Sequence, residues 1–135
     1  NERFAEATGA PAYRASQDLD GPSLLDLAET LLSTDELGFR KIFKKSAIKR
    51  AKRSGLLRNI CIALGNWGAP EAVTTLLRAL SDMEPLVRGH AAWALGQIGS
   101  SSARSALSEK LTSEEDAWVR TEISAAIEAQ DSSSL

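Results

Sequence analysis

Cysteine and histidine are almost missing from this 135-residue chain, which has one of each, Cys61 and His90. A disulfide needs two thiols, and iron–sulfur or zinc sites need several ligands, so none can be built from this chain alone. Aromatic residues make up only 5%, and no apolar run approaches the ~20 residues of a membrane-spanning helix. The opening NERFAEATGAPAY has neither the charged start nor the apolar stretch of a secretion signal. It also lacks an initiating Met, which points to a fragment or a processed chain. The expectation is a soluble cytoplasmic protein with no membrane partner.

One further absence is local. No Asp or Glu occurs in residues 40–58, RKIFKKSAIKRAKRSGLLR, while nine of the sixteen Lys and Arg do. The block is therefore +9. The seven remaining cations stand against 18 acids, net −11, so the overall −2 conceals the asymmetry.

What remains is rich in Ala and Leu, with 43% hydrophobic residues, enough for one domain with a continuous core. Residues 1–22 contain Gly9, Pro11, Gly21 and Pro22 without helical period and read as an extended lead-in. Asp20 to Ser23 opens a helix with Leu24, Leu27, Ala28 and Leu31 at helical spacing. Ser33 or Thr34 is the expected cap of a segment whose stripe is Phe39, Ile42 and Phe43. Ser46 is the expected cap of another, with Ala47, Ile48 and Ala51 on its apolar side. The basic residues lie away from both stripes, so residues 23–54 read as lead-in helices with the basic side outward.

From Gly55 the chain repeats. ALGNWG at 63–68 returns as ALGQIG at 94–99, a shift of 31. Ile60, Leu64 and Trp67 answer to Ala91, Leu95 and Ile98. At a further shift of 32, Val119-Arg120 answers to Val87-Arg88, with Ile123 and Ile127 following. Between these lie matching first helices, Val73, Leu76, Leu77 and Leu80, then Ala103, Ala106, Leu107 and Leu111. Two amphipathic helices per ~31 residues mark an α-solenoid, in which each unit buries its apolar face on the next. With Asp82 in the turn and Val87 and Arg88 heading the second helix, residues 55–130 resemble HEAT repeats. The fold class is all-α, a short α-solenoid of HEAT-like pairs after a loop and lead-in helices, with 131–135 as a disordered tail.

No set of residues points to catalysis or to a metal. His90 lies in a helix without a ligand partner, and Cys61 lies on the Ile60–Leu64 apolar face, where a thiol is inert. Glu114, Glu115 and Asp116 precede a helix and suit the partial positive charge at its start. The glycines of GNWG read as helix termination, and Trp67, Trp93 and Trp118 as packing, with base stacking by Trp67 as the alternative.

The basic block is different, because acidic residues that would neutralise it are absent within the segment. A nucleic-acid backbone is the favoured partner. FRKIFKKSAIKRAKRSGLLRNICIALGN moreover resembles the C-terminal region of bacterial epoxyqueuosine reductase. The matching positions are Phe39, Phe43, Ser46, Ile48, Lys49, Arg50, Gly55 to Asn59, and Ala63 to Asn66. Asn1, Arg3, Phe4 and Ala5 look like the stretch after that family's last cluster-binding cysteine.

The resemblance implies a parent oxidoreductase that reduces epoxyqueuosine to queuosine in tRNA, with cobalamin and two [4Fe–4S] clusters. Eight cysteines would be needed for the clusters, so no such site is expected in this chain. The implied role is to hold the tRNA anticodon arm against a catalytic domain absent from the chain. The expected contacts are Arg40, Lys41, Lys44, Lys45, Lys49, Arg50, Lys52, Arg53, Arg58 and Asn59; no DNA partner is expected. A protein-interaction scaffold is the rival reading, because HEAT arrays bind proteins as well.

Overall fold

A computed structural model describes residues 20–33 and 47–133. Among them are six α-helices, a 3₁₀ turn at Pro70–Ala72 and no strand. The helices are α1 (Gly21–Leu32), α2 (Ala47–Trp67), α3 (Val73–Ala79), α4 (Pro85–Ile98), α5 (Ser101–Leu111) and α6 (Ala117–Ser133). They form two layers. α2, α4 and α6 pack side by side in one, and α1, α3 and α5 follow one another in the other. Residues 70–128 thus contain the expected four stacked helices.

Local chemistry sets the ends. Asp20 Oδ1 accepts from Ser23 N at 2.8 Å and caps α1, with Pro22 in the first turn. Pro85 opens α4, and Ser100 Oγ accepts from Ala103 N at 3.1 Å to cap α5. α2 and α4 stop at Gly68 and Gly99, whose φ of 72° and 69° lies in the left-handed region that a side chain disfavours.

The repeat positions form the core. Ile60, Leu64, Ala91, Leu95, Val119 and Ile123 are sealed between the layers, with Leu76, Leu80, Ala103 and Leu107 opposite. Gly65 and Gly96 fall inside helices and let the layer close up. A Cβ on Gly65 would collide with Trp93 and the Ala94 backbone, and one on Gly96 with Ala126. Each tryptophan lies over a glycine of another helix: Trp67 over Gly21, Trp93 over Gly65 and Trp118 over Gly89.

Four features depart from the sequence reading. α1 starts at Gly21, inside the stretch expected to be extended, because Asp20 already supplies its cap. α2 runs unbroken across the expected division at 54/55, its apolar positions continuing to Leu64. Ala47, Ile48 and Ala51, expected to be covered, are exposed, Ile48 by 70%. α6 continues to Ser133, past the expected tail start at 131, because Gln130 Nε2 donates to Leu95 O at 3.2 Å and Asp131 pairs with Arg104 at 2.8 Å. The stripe Phe39, Ile42 and Phe43, and the Ser33/Thr34 and Ser46 caps expected beside it, involve residues outside those described or, at Ser33, the end of α1.

Candidate nucleic-acid interface

The first six residues of α2, Ala47 to Lys52, are all exposed. Lys49, Arg50 and Lys52 thus reach solvent from two turns of helix whose two lysines and arginine have no acidic residue between them. Arg50 also stands 3.6 Å from Glu84, the residue ahead of α4. Half a turn farther, the environment changes. Arg53 is turned inward, its side chain 7% exposed, and grips Asp82 with Nη2–Oδ1 at 2.6 Å and Nη1–Oδ2 at 3.1 Å. Its Nη2 also donates to Leu31 O at 3.4 Å, tying α1 to the turn between α3 and α4.

The expected contacts therefore divide. Lys49, Arg50 and Lys52 share the exposed start of α2. Arg58 is half-buried, and its Nε donates to Asn59 Oδ1 at 3.2 Å. Asn59 is itself buried. Arg53 and Asn59 are thus withdrawn into the fold, Arg53 because a carboxylate from a distant turn meets it there. Arg40, Lys41, Lys44 and Lys45 lie outside the described residues.

Arg53 and Asp82 form the first rung of a ladder that sequence reading missed. In the next unit Arg88 grips Glu114, with Nε–Oε1 at 2.8 Å and Nη2–Oε2 at 3.0 Å. Arg88 Nη1 also donates to Asp82 O at 2.8 Å and Met83 O at 3.1 Å. Arg120 likewise holds its own turn, Nη1 donating to Leu111 O at 2.8 Å and Glu114 O at 2.9 Å. Each turn carboxylate also accepts from the backbone two positions on, Asp82 from Glu84 N at 3.1 Å and Glu114 from Asp116 N at 3.0 Å. The signal was present: Asp82 and Glu114 stand at the repeat shift of 32, as do Arg88 and Arg120.

Charge follows this wiring. The bond from Arg88 holds the Glu114 carboxyl below its ordinary range, against the opposing effect of burial. Glu114 in turn raises Arg88. Of the acidic trio, Glu114 therefore serves the ladder, while Asp116 Oδ1 accepts from Val119 N at 3.0 Å and caps α6.

His90 is not placed for metal chemistry. Its Nδ1 lies 2.8 Å from Leu86 O, and its ring is tilted 53° against Trp118 at 5.4 Å. Burial lowers its pKa and the Arg58 charge adds to this, against the Leu86 bond and Glu122. Cys61 is buried, which with the Asp82 charge pushes its thiol up to about 12. Among the described residues no three His, Cys, Asp or Glu side chains gather to hold a metal ion. No described helix is long and apolar enough to cross a membrane.

A profile of HEAT repeats matches residues 45–128. The chain belongs to the HEAT-repeat family. This HEAT-repeat chain is also similar to curated epoxyqueuosine reductases. It is 37% identical over 98 residues to that of Xanthomonas campestris, covering 72% of this chain and 26% of the relative. It is 33% identical over 95 residues to that of Escherichia coli, covering 70% and 24%. Among solved structures, epoxyqueuosine reductase with an epoxyqueuosine-modified tRNA-Tyr stem loop matches with a TM-score of 0.60 and 30% identity, covering 77% of this chain and 28% of that one. The HEAT-repeat chain thus spans about a quarter of the relatives' length. The residues described do not fit the ligand set of an iron–sulfur cluster: the single cysteine is sealed and burial raises its thiol to about 12.

Proposed function

We propose that this chain is the tRNA-gripping HEAT-like part of an epoxyqueuosine reductase, holding the anticodon arm while a separate redox domain reduces epoxyqueuosine to queuosine. The observation that carries this is the exposed start of α2, where Lys49, Arg50 and Lys52 emerge together from the helical stack. The similarity to a reductase solved with a tRNA stem loop supports the choice of polyanion. Phosphate oxygens are the acceptors that lysine and arginine on one helix meet without sequence preference. Arg58 contributes from the next turns, and Arg40, Lys41, Lys44 and Lys45 extend the contact. Arg53 and Asn59 act from inside, by holding α2 in place.

Titration of a labelled anticodon stem loop at two salt concentrations tests this. Each phosphate contact adds roughly −0.7 to −0.9 to the slope of log affinity against log salt. Replacing Lys49, Arg50 and Lys52 together by Glu should abolish binding. Undetectable affinity at low salt, or an unchanged affinity in the triple variant, overturns the proposal and favours an acidic protein as the partner of the block.

A further inference from the structure

In the third unit the arginine meets no carboxylate among the described residues. Arg53 and Arg88 each take a carboxylate from the following helix pair, whereas Arg120 binds only carbonyls of its own turn through Nη1. Its Nε and Nη2 make no bond among the described residues, and its side chain is exposed. Arg120 lines a shallow hollow on the outer face of α6 with Ala117, Thr121, Ser124, Ala125 and Glu128. Glu128 lies two turns beyond Arg120 on this face and has no ion pair among the described residues.

The repeat shows what this face can accept. A shift of 32 carries Gly89, Ala92 and Gly96 of α4, the surface on which α6 packs, to Thr121, Ser124 and Glu128. The middle of the α6 face stays small, so another helix can approach. At the far end, however, Glu128 stands where Gly96 lets Ala126 come against the backbone. A further unit packed like the others would bury that carboxylate unpaired, at a large desolvation cost. The occupant must therefore bring an anion to Arg120 and a cation to Glu128.

A second copy does both. In an antiparallel pair of α6 helices crossing at Ser124, each Arg120 meets the Glu128 of the other copy, and the two-fold axis makes both pairs at once. We propose that the outer face of α6 is a self-association surface, with Arg120 and Glu128 as its reciprocal ion pairs. One helix face buries roughly a few hundred Å² per copy, below the ~800 Å² of a standard interface, so the dimer is weak and salt-sensitive.

Sedimentation equilibrium from about 10 μM to about 1 mM suits an interface of this size. The wild-type chain should dimerise, Arg120→Glu and Glu128→Arg should each weaken the dimer at least tenfold, and the double exchange should restore it. Because Arg120 also holds its own turn, Glu128→Arg provides the arm that leaves the ladder intact. A wild-type chain that stays monomeric throughout, or a dimer indifferent to Glu128→Arg, overturns the proposal.

Discussion

Arg53 and Asp82, far apart in sequence, meet in a two-pronged ion pair with side chains 7% and 6% exposed. The pair lies where α2 enters the body of the stack, between exposed cations on one side and the core residues Leu57 and Ile60 on the other. Removing one partner of such a pair leaves an uncompensated buried charge.

Arg53→Met should therefore lower stability by about 3–5 kcal/mol, while Lys52→Met, one position earlier and exposed, should leave it nearly unchanged. Chemical denaturation of both variants checks the contrast. Equal losses would show that Arg53 is solvated like its neighbour.

Acid should release the second rung. The folded-state pKa of Glu114 is depressed, so its contribution is complete above the ordinary carboxylate pKa. It is lost as pH falls through the depressed value, when Glu114 becomes neutral and Arg88 keeps its charge. Glu114→Gln should be less stable than the wild type at pH 7 and should converge on it in acid. Unfolding curves at pH 7 and pH 3 measure the difference.

Glycine packing gives a graded pair of outcomes. At Gly96 an added Cβ meets the backbone and Cβ of Ala126, which cannot retreat, and Gly96→Ala should cost about 1–3 kcal/mol by overpacking. At Gly89 the three nearest atoms all belong to the indole of Trp118, a side chain that is 41% exposed and has solvent to yield into. Gly89→Ala should cost less, and thermal melts of the two variants rank them.

The Cys61 thiol, buried and raised to about 12, should be silent towards an aromatic disulfide reagent at pH 8. In denaturant one thiol per chain should react at an ordinary rate. Rapid labelling of the native protein would contradict the burial.

The helical repeat was legible because burial enforces it: Leu64 returns as Leu95 and Val87 as Val119, one repeat apart, and all four are sealed. The side of α2 that faces solvent was not legible near Ile48. Periodicity reports which residues share a face but not whether a neighbour covers it, and among the described residues none covers Ile48. The inward turn of Arg53 was hidden for a related reason. Its partner arrives from the turn after α3, and a cation in a basic run looks alike whether that carboxylate is present or not. The exposure of Lys49, Arg50 and Lys52 was legible because the run of cations carries no apolar face to bury.

α2 is a single helix of 21 residues, about 30 Å at 1.5 Å per residue, whose last four turns are clamped in the core. Its first two turns therefore act as a lever arm and not a tether. A load applied at Lys49 or Lys52 is borne by Arg53 as a fulcrum and by Asp82 in the next helix pair. A ligand gripped there is held at a set height and bearing above the stack, with little backbone freedom left to lose.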